Sequence, residues 1–301
     1  MRRLWPLIVF ILIFCIVWLL ADNVQKPLST TKSYQRIITL SPSLTETVFA
    51  LGLGARVVAV TDYCDYPPQA QALPSVGSYT NTSLEAITRL QPDLVIMLNG
   101  QQQRQQQLQQ LGIKTLVLDN STIADIKETI KTIANLTGKQ KQATKLLNNI
   151  QDQIDYVRSK VHDIAPVRTL VGIAHYVNSD QLDTVYIAGQ HDFYNELLEL
   201  AGGVNVYTDT TVKVPSVSAE GIIRMNPDAI IDVFPEQKDH QSDMKQVIKQ
   251  WQTLRSVNAV KQQRIYIIEH DYASIPGPRI FKLLPEMAQL LHPNLDWQKN
   301  D

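Results

Sequence analysis

Residues 82–96 read TSLEAITRLQPDLVI, and residues 217–231 read VSAEGIIRMNPDAII. Aligned without a gap, Ser83, Glu85, Ile87, Arg89, Pro92, Asp93 and Ile96 meet Ser218, Glu220, Ile222, Arg224, Pro227, Asp228 and Ile231. Each copy spells one α/β step. A serine precedes a short helical run and can accept from a free amide of its first turn. Proline stops the helix, because the residue before a proline is steered out of the helical region. A hydrophobic, β-rich run then enters a sheet. A glutamate stands in the first turn both times, where the helix dipole favours it.

Outward from the first copy the same grammar continues. Arg36–Leu40, Arg56–Val60, Asp93–Leu98 and Lys114–Asp119 are short β-branched runs. Ser43–Leu51 reads as a helix with a Ser/Thr cap that closes on Gly52, and Ser83–Leu90 as one that ends before Pro92. Gln101–Leu111 is glutamine-rich and helical in propensity, which reads as a solvated helix face. Strands alternating with helices imply a parallel sheet covered by helices. Ile123–Leu136 reads as a helix broken by Gly138. From Lys139 to about Val161 there is neither Gly nor Pro, and Leu146, Leu147, Ile150, Ile154, Val157 and Val161 recur in steps of three and four. About 23 residues at 1.5 Å each span roughly 35 Å, long enough to cross from one domain to another. Ala165-Pro166 ends this helix.

Strands return at Arg168–Ala174, Ala229–Phe234 and Arg264–Ile268. A helix at Phe193–Leu200 runs into Gly202-Gly203, with Val204–Tyr207 beyond. It carries a second echo, since Thr45–Gly52 (TETVFALG) matches Asn195–Gly202 (NELLELAG) in character. The expected fold is therefore α/β. It has two similar lobes with parallel-type central sheets flanked by helices, residues 35–138 and 164–301, joined by one long rigid helix at 139–163.

The remaining composition limits function. The formal net charge of −1 over 301 residues argues against nucleic acid, which demands a basic face. Met1-Arg2-Arg3 followed by the uncharged stretch Leu4–Ala21 reads as an export signal or a single membrane anchor, with the rest of the chain sent across. Residues 22–34 read as a polar tether. Cys15 follows Phe14, where a lipidated cysteine expects a small residue, so no lipidation is assigned. Cys64 then stands alone, which excludes an internal disulfide and leaves a small half-buried side chain. Enzyme signatures are missing. Gly138-Lys139 lacks the phosphate-loop glycine upstream, Gly52-Leu53-Gly54 follows a helix rather than a strand, and neither HExxH nor GxSxG occurs. Asp183, His191 and a serine could form a triad only on paper. The expected activity is binding, not catalysis.

The order RIITLSPSLTETVFALG, DYCDYPPQAQALPSVGSY, SLEAITRLQPDLVI and LGIKTLVLD resembles the solute-binding proteins of bacterial vitamin B12 and iron-siderophore ABC importers, nearest to the cobalamin-binding members. The resemblance covers nearly all of residues 35–295. It implies the helical-backbone (class III) periplasmic binding protein fold, in which two lobes clamp a ligand in the cleft between them. It also implies an exported, periplasmic, monomeric protein that captures a large metal chelate and delivers it to a membrane permease. Cobalamin is the first choice; a ferric siderophore or haem is the alternative. No cofactor is expected, because the chelate is cargo. In such proteins an acidic residue on each lobe docks onto the permease, and Glu85 and Glu220 stand at the matching positions. An anchored sensor or scavenger without transport is the alternative of another class, and the presence of both glutamates points away from it.

Parallel sheets bind ligands beyond the carboxyl ends of their strands. That rule selects Ser41-Pro42-Ser43, Thr61–Tyr66, Asn99-Gly100, His175-Tyr176, Pro235 and His270–Tyr272. The region is rich in tyrosine, whose apolar body and polar tip suit a large amphipathic ligand. The candidate ligand-binding residues are Ser41, Pro42, Ser43, Tyr63, Tyr66, Tyr79, Asn99, His175, Tyr176, Tyr186, Asp271 and Tyr272. Tryptophan, which the cobalamin binders use, is missing from these loops: Leu98 ends the third strand, Val214 stands in the VKVPSVS loop, and Trp251 and Trp297 lie elsewhere. His175, His191 and His270 fall near strand or loop ends, but no HxH or HxxxH spacing joins them, so no metal-ligating set is assigned. Arg279 in PGPRI is the candidate cation for an anionic chelate.

Overall fold

A computed structural model describes residues 33–177, 179–234 and 244–298. The leader and most of the tether expected at the N-terminus, and Pro235 of the expected cleft, lie outside these residues. From Ser33 onward the chain forms one compact unit.

The first lobe contains β1 (Ile37–Thr39), α1 (Pro42–Ala50), β2 (Val57–Val60), α2 (Leu84–Arg89), β3 (Leu94–Leu98), α3 (Gln102–Gln110) and β4 (Thr115–Leu118). Its strands lie in the order β2-β1-β3-β4 and all pairs are parallel. β1 is buried throughout, as a parallel strand covered on both faces must be. The chain reverses its winding between β1 and β3, so the crevice at their carboxyl ends is bounded by Ser41 and by Asn99-Gly100. α1 begins one residue before the expected cap. Pro42 holds the first helical turn, where it has no amide to waste, and Ser41 sits at the cap without a side-chain bond.

α4 (Ile123–Thr137) opens on a reciprocal capping box between Thr122 and Asp125 and closes on Gly138 at φ 74°. α5 (Gln140–Val161) is the long helix, 22 residues and so roughly 33 Å. Ala143, Ile150, Ile154, Val157 and Val161 form its buried stripe. The first four belong to one apolar core that also holds Ile37 and Leu94 of the first sheet and Val171 and Ile231 of the second. Stiffness follows from that continuity, because a helix packed along its length cannot bend without opening cavities.

The second lobe contains β5 (Val167–His175), β6 (Thr184–Ile187), α6 (Phe193–Leu200), β7 (Gly203–Asn205), β8 (Ser216–Ser218), α7 (Ala219–Met225), β9 (Ala229–Val233), α8 (Met244–Gln252), α9 (Asn258–Lys261), β10 (Ile265–Ile268) and α10 (Leu283–Leu291). The sheet order is β10-β9-β5-β6-β8, with β7 also on β5. β10, β9, β5 and β7 are parallel, but β6 and β8 are antiparallel additions that the sequence did not announce. The short link from β5 to β6 has no room for a crossover helix, so β6 turns back.

The repeated step folds the same way twice. Ser83 Oγ accepts from Ala86 N at 3.1 Å, and Ser218 Oγ from Gly221 N at 3.3 Å. Ile87 and Ile222 are both wholly buried. Gln91 and Asn226, at matched places, both take positive φ (46° and 44°) to turn the chain into the next strand. Arg36 Nη2 donates to Leu90 O at 2.6 Å, and Arg168 Nη2 to the matched Met225 O at 2.8 Å. The duplication thus reaches residues outside the aligned stretch.

Candidate functional site

At the carboxyl edges of the two sheets the structure exposes aromatic surface. Tyr63 is 76% and Tyr176 is 78% exposed, and Tyr66, Tyr79 and Tyr186 are also exposed. Val212 and Val214, in the loop before β8, add exposed apolar surface. Tyr63 follows β2 with φ at 64°, a left-handed conformation that an aromatic residue rarely takes. Gln101 Nε2 donates to Tyr79 O at 2.9 Å and ties that turn to the start of α3. Burial pushes the Tyr79 phenol up, so it stays a neutral donor.

Polar groups just beyond the ends of β1, β3 and β4 are held by hydrogen bonds. Asn99 Nδ2 donates to Asp119 Oδ2 at 2.7 Å. Burial would raise the Asp119 carboxyl, but hydrogen bonds from Ser121 and the Lys213 charge hold it below its ordinary value. Lys213 belongs to the second lobe, so its field crosses between lobes. Ser41 and Ser43 are buried and bonded to each other at 2.8 Å, and Asn120 Nδ2 donates to Ser43 at 3.2 Å. These two serines brace the crevice floor, and Pro42 is half-buried beside them.

His175 lies elsewhere. Its side chain is wholly buried, Nε2 is 2.8 Å from Asp232 Oδ2, and Trp251 donates to the same oxygen at 2.7 Å. Phe234 and Trp251 pack on the imidazole at 5.4 and 5.9 Å. Burial pushes the Asp232 carboxyl up against the pull of both partners. The sequence could not place His175 in the core, because its partners stand 57 and 76 positions away. His270 stacks on Tyr272 at 4.9 Å, and the Tyr272 hydroxyl donates to Glu286 at 3.2 Å. Burial and then the Glu286 charge push the Tyr272 phenol up to about 12. Cys64 is fully buried, not half-buried, and burial pushes its thiol up, which leaves it inert.

Asp271 and Arg279 form a pair at 2.7 Å, and Arg279 also reaches Glu46 of α1 at 2.5 Å. The Arg279 guanidinium lies 3.8 Å over the Tyr66 ring. Glu46 is the member of this cluster that sequence reading missed; nothing local marks a helical glutamate as the partner of an arginine 233 positions on. A cavity of about 760 Å³ opens beside this cluster between α1, α5 and Pro278–Lys282, and Tyr66 is its one contact with the exposed tyrosines. A smaller polar groove of about 470 Å³ runs from Tyr79 and Gly100 along Gln101 and Arg104. Among the described residues no group of three or more His, Cys, Asp or Glu could hold a metal ion, and no helix is long and apolar enough to cross a membrane. Glu85 and Glu220 are both exposed in the first turns of α2 and α7.

Residues 37–272 match the family described as periplasmic binding protein. The chain is 26% identical over 278 residues to an uncharacterized ABC transporter substrate-binding lipoprotein, YvrC, of Bacillus subtilis, covering 91% of this chain and 85% of that one. Its fold superposes on the periplasmic vitamin B12 binding protein BtuF of Vibrio cholerae with a TM-score of 0.72 and 26% identity, over 86% of this chain and 97% of that one. It superposes on a possible iron-binding (periplasmic solute-binding) protein of Staphylococcus epidermidis with a TM-score of 0.71 and 30% identity, over 87% and 100%.

Proposed function

The chain belongs to the periplasmic binding protein family, and we propose that it captures a large metal chelate of the cobalamin type and delivers it to the permease of an ABC importer. It acts by binding, not catalysis, as an exported monomer that is periplasmic or held at the membrane by its N-terminal segment. The chelate would rest on Tyr63, Tyr66, Tyr79, Tyr176 and Tyr186, with Asn99, Asp271 and Tyr272 at the polar margin. The exposed tyrosines of both lobes carry this reading. Exposed aromatic side chains gathered at strand ends support a site for a ligand or partner. Rings with polar tips suit a large ligand whose rim carries hydrogen-bonding groups.

The charge of the cleft favours a corrinoid over an anionic chelate. Arg279 is the cation best placed for a carboxylate-rich ligand, and Glu46 and Asp271 already neutralise it. A ferric siderophore remains the second reading, favoured by the likeness to the Staphylococcus epidermidis protein. Glu85 and Glu220 would be the docking groups, one per lobe, so that the permease grips both halves and senses their spacing.

An ultraviolet–visible titration of the unit from Ser33 onward with cyanocobalamin, haemin and ferric siderophores tests the ligand. Tight, saturable binding of cyanocobalamin is expected, and weaker binding of the anionic chelates. Tight siderophore binding with none of cyanocobalamin would install the second reading. No tight binding of any of them would overturn the chelate reading.

A further inference from the structure

Glu46 and Tyr66 belong to the first lobe, Asp271 and Arg279 to the second, and all four meet at one guanidinium. Arg279 Nη2 lies 2.5 Å from Glu46 Oε1 and 2.7 Å from Asp271 Oδ2, while Nη1 lies 3.1 Å from Asp271 Oδ1. The segment that carries Arg279 is pressed against the first lobe. Asn120 Nδ2 donates to Pro276 O at 2.8 Å. A Cβ on Gly277 would come within 3.2 Å of Ser43 O and 3.3 Å of Ser43 Cα, so only glycine gives this approach without a shift.

The two arms of Arg279 differ. The Asp271 arm is bidentate, stays within the second lobe and faces solvent, where water screens it. The Glu46 arm is single, crosses between lobes and is buried: Glu46 is 3% exposed and the Arg279 side chain 10%. Glu46 Oε2 and Arg279 Nε have no hydrogen-bond partner among the described residues. Arginine can give a carboxylate two parallel bonds, and here it gives Glu46 one. An imperfectly satisfied buried pair contributes little net stability, because desolvation offsets most of the attraction. Its strength depends instead on the seam staying dry, since the same charges attract far less once water enters.

We infer that Arg279 is an interlobe latch. Its Glu46 arm holds the two lobes at the spacing seen here, slows escape of the chelate, and breaks when the lobes part. Only the statement about escape rests on the chelate reading; the latch itself needs no ligand.

The test has two arms. Spin labels on Thr88→Cys and Ile223→Cys, exposed positions on α2 and α7, report the distance between lobes without ligand. Arg279→Gln and Glu46→Gln should each lengthen or broaden that distance, and the double variant should add nothing further, as expected of two ends of one contact. Cyanocobalamin dissociation by stopped flow should quicken on the order of tenfold in each single variant, because changes at a contact act mostly on the off-rate. A purely structural role would lower the thermal midpoint and leave distances and dissociation alone, and that result would overturn the latch. Should Arg279→Gln fail to fold, the isosteric Glu46→Gln decides. Should cyanocobalamin not bind, the chelate reading falls and the distances still judge the latch.

Discussion

Met97 in the first lobe and Asp232 in the second hold the same place in the repeated step, one residue after Ile96 and Ile231. Both are wholly buried. Met97 packs among Ile38, Leu40, Ala59, Val76 and Leu108. Asp232 instead binds His175 and Trp251. The outside of the step tells the opposite story. Its serine caps, its arginine clasps from Arg36 and Arg168, its positive-φ turns and its exposed glutamates are alike in both lobes. Interiors of two diverged copies are free to repack, provided each remains filled and paired. The caps, clasps and turns serve the folding of each lobe, and the matched glutamates are the groups proposed above to meet the permease.

The largest expected effect sharpens the interior half of this comparison. Asp232→Ala leaves the buried imidazole and indole without their shared acceptor, and should cost about 3–5 kcal/mol in urea unfolding. Asp232→Met with His175→Leu, which copies the first lobe's solution, should recover most of that loss. A cost below about 1 kcal/mol for Asp232→Ala would mean that the polar cluster is not structurally different from the packing around Met97.

The second effect compares two matched helix starts. Ser41 precedes α1 with a neutral side chain, whereas Asp192 precedes α6 and accepts from Tyr194 N at 2.7 Å. Burial pushes the Asp192 carboxyl up to about 6, against that hydrogen bond. Between the ordinary carboxylate range and about 6, the folded chain holds a proton that the unfolded chain has released. Stability should therefore fall as pH rises through this window, by up to about 3 kcal/mol, and level off above it. Asp192→Asn should flatten the profile. An unchanged profile in that variant would assign the titration to another group.

Much of this was legible in the sequence, and the reasons for the rest are specific. The caps, proline stops and hydrophobic runs of both copies are local, so the strands β1–β5, β9 and β10 and the long helix could be read from spacing. β6 and β8 could not, because TVYI and SVS are short and lack the flanking signals of a buried strand. The exposed tyrosines were legible because strand ends and aromatic type are local facts. The burial of His175 and the joining of Glu46 to Arg279 were not, since each depends on how distant segments pack.

The smallest effect on stability belongs to the residues with the largest expected effect on function. Glu85→Ala and Glu220→Ala alter exposed side chains and should each change stability by no more than about 0.5 kcal/mol. Cobalamin uptake by cells or vesicles carrying the partner permease, measured for both single variants and the double, is the most direct test of the account. Each single change should reduce uptake and the double change should abolish it, with cyanocobalamin affinity unchanged. Unimpaired uptake in the double variant would contradict the two-handled delivery that the repeated sequence is taken to encode.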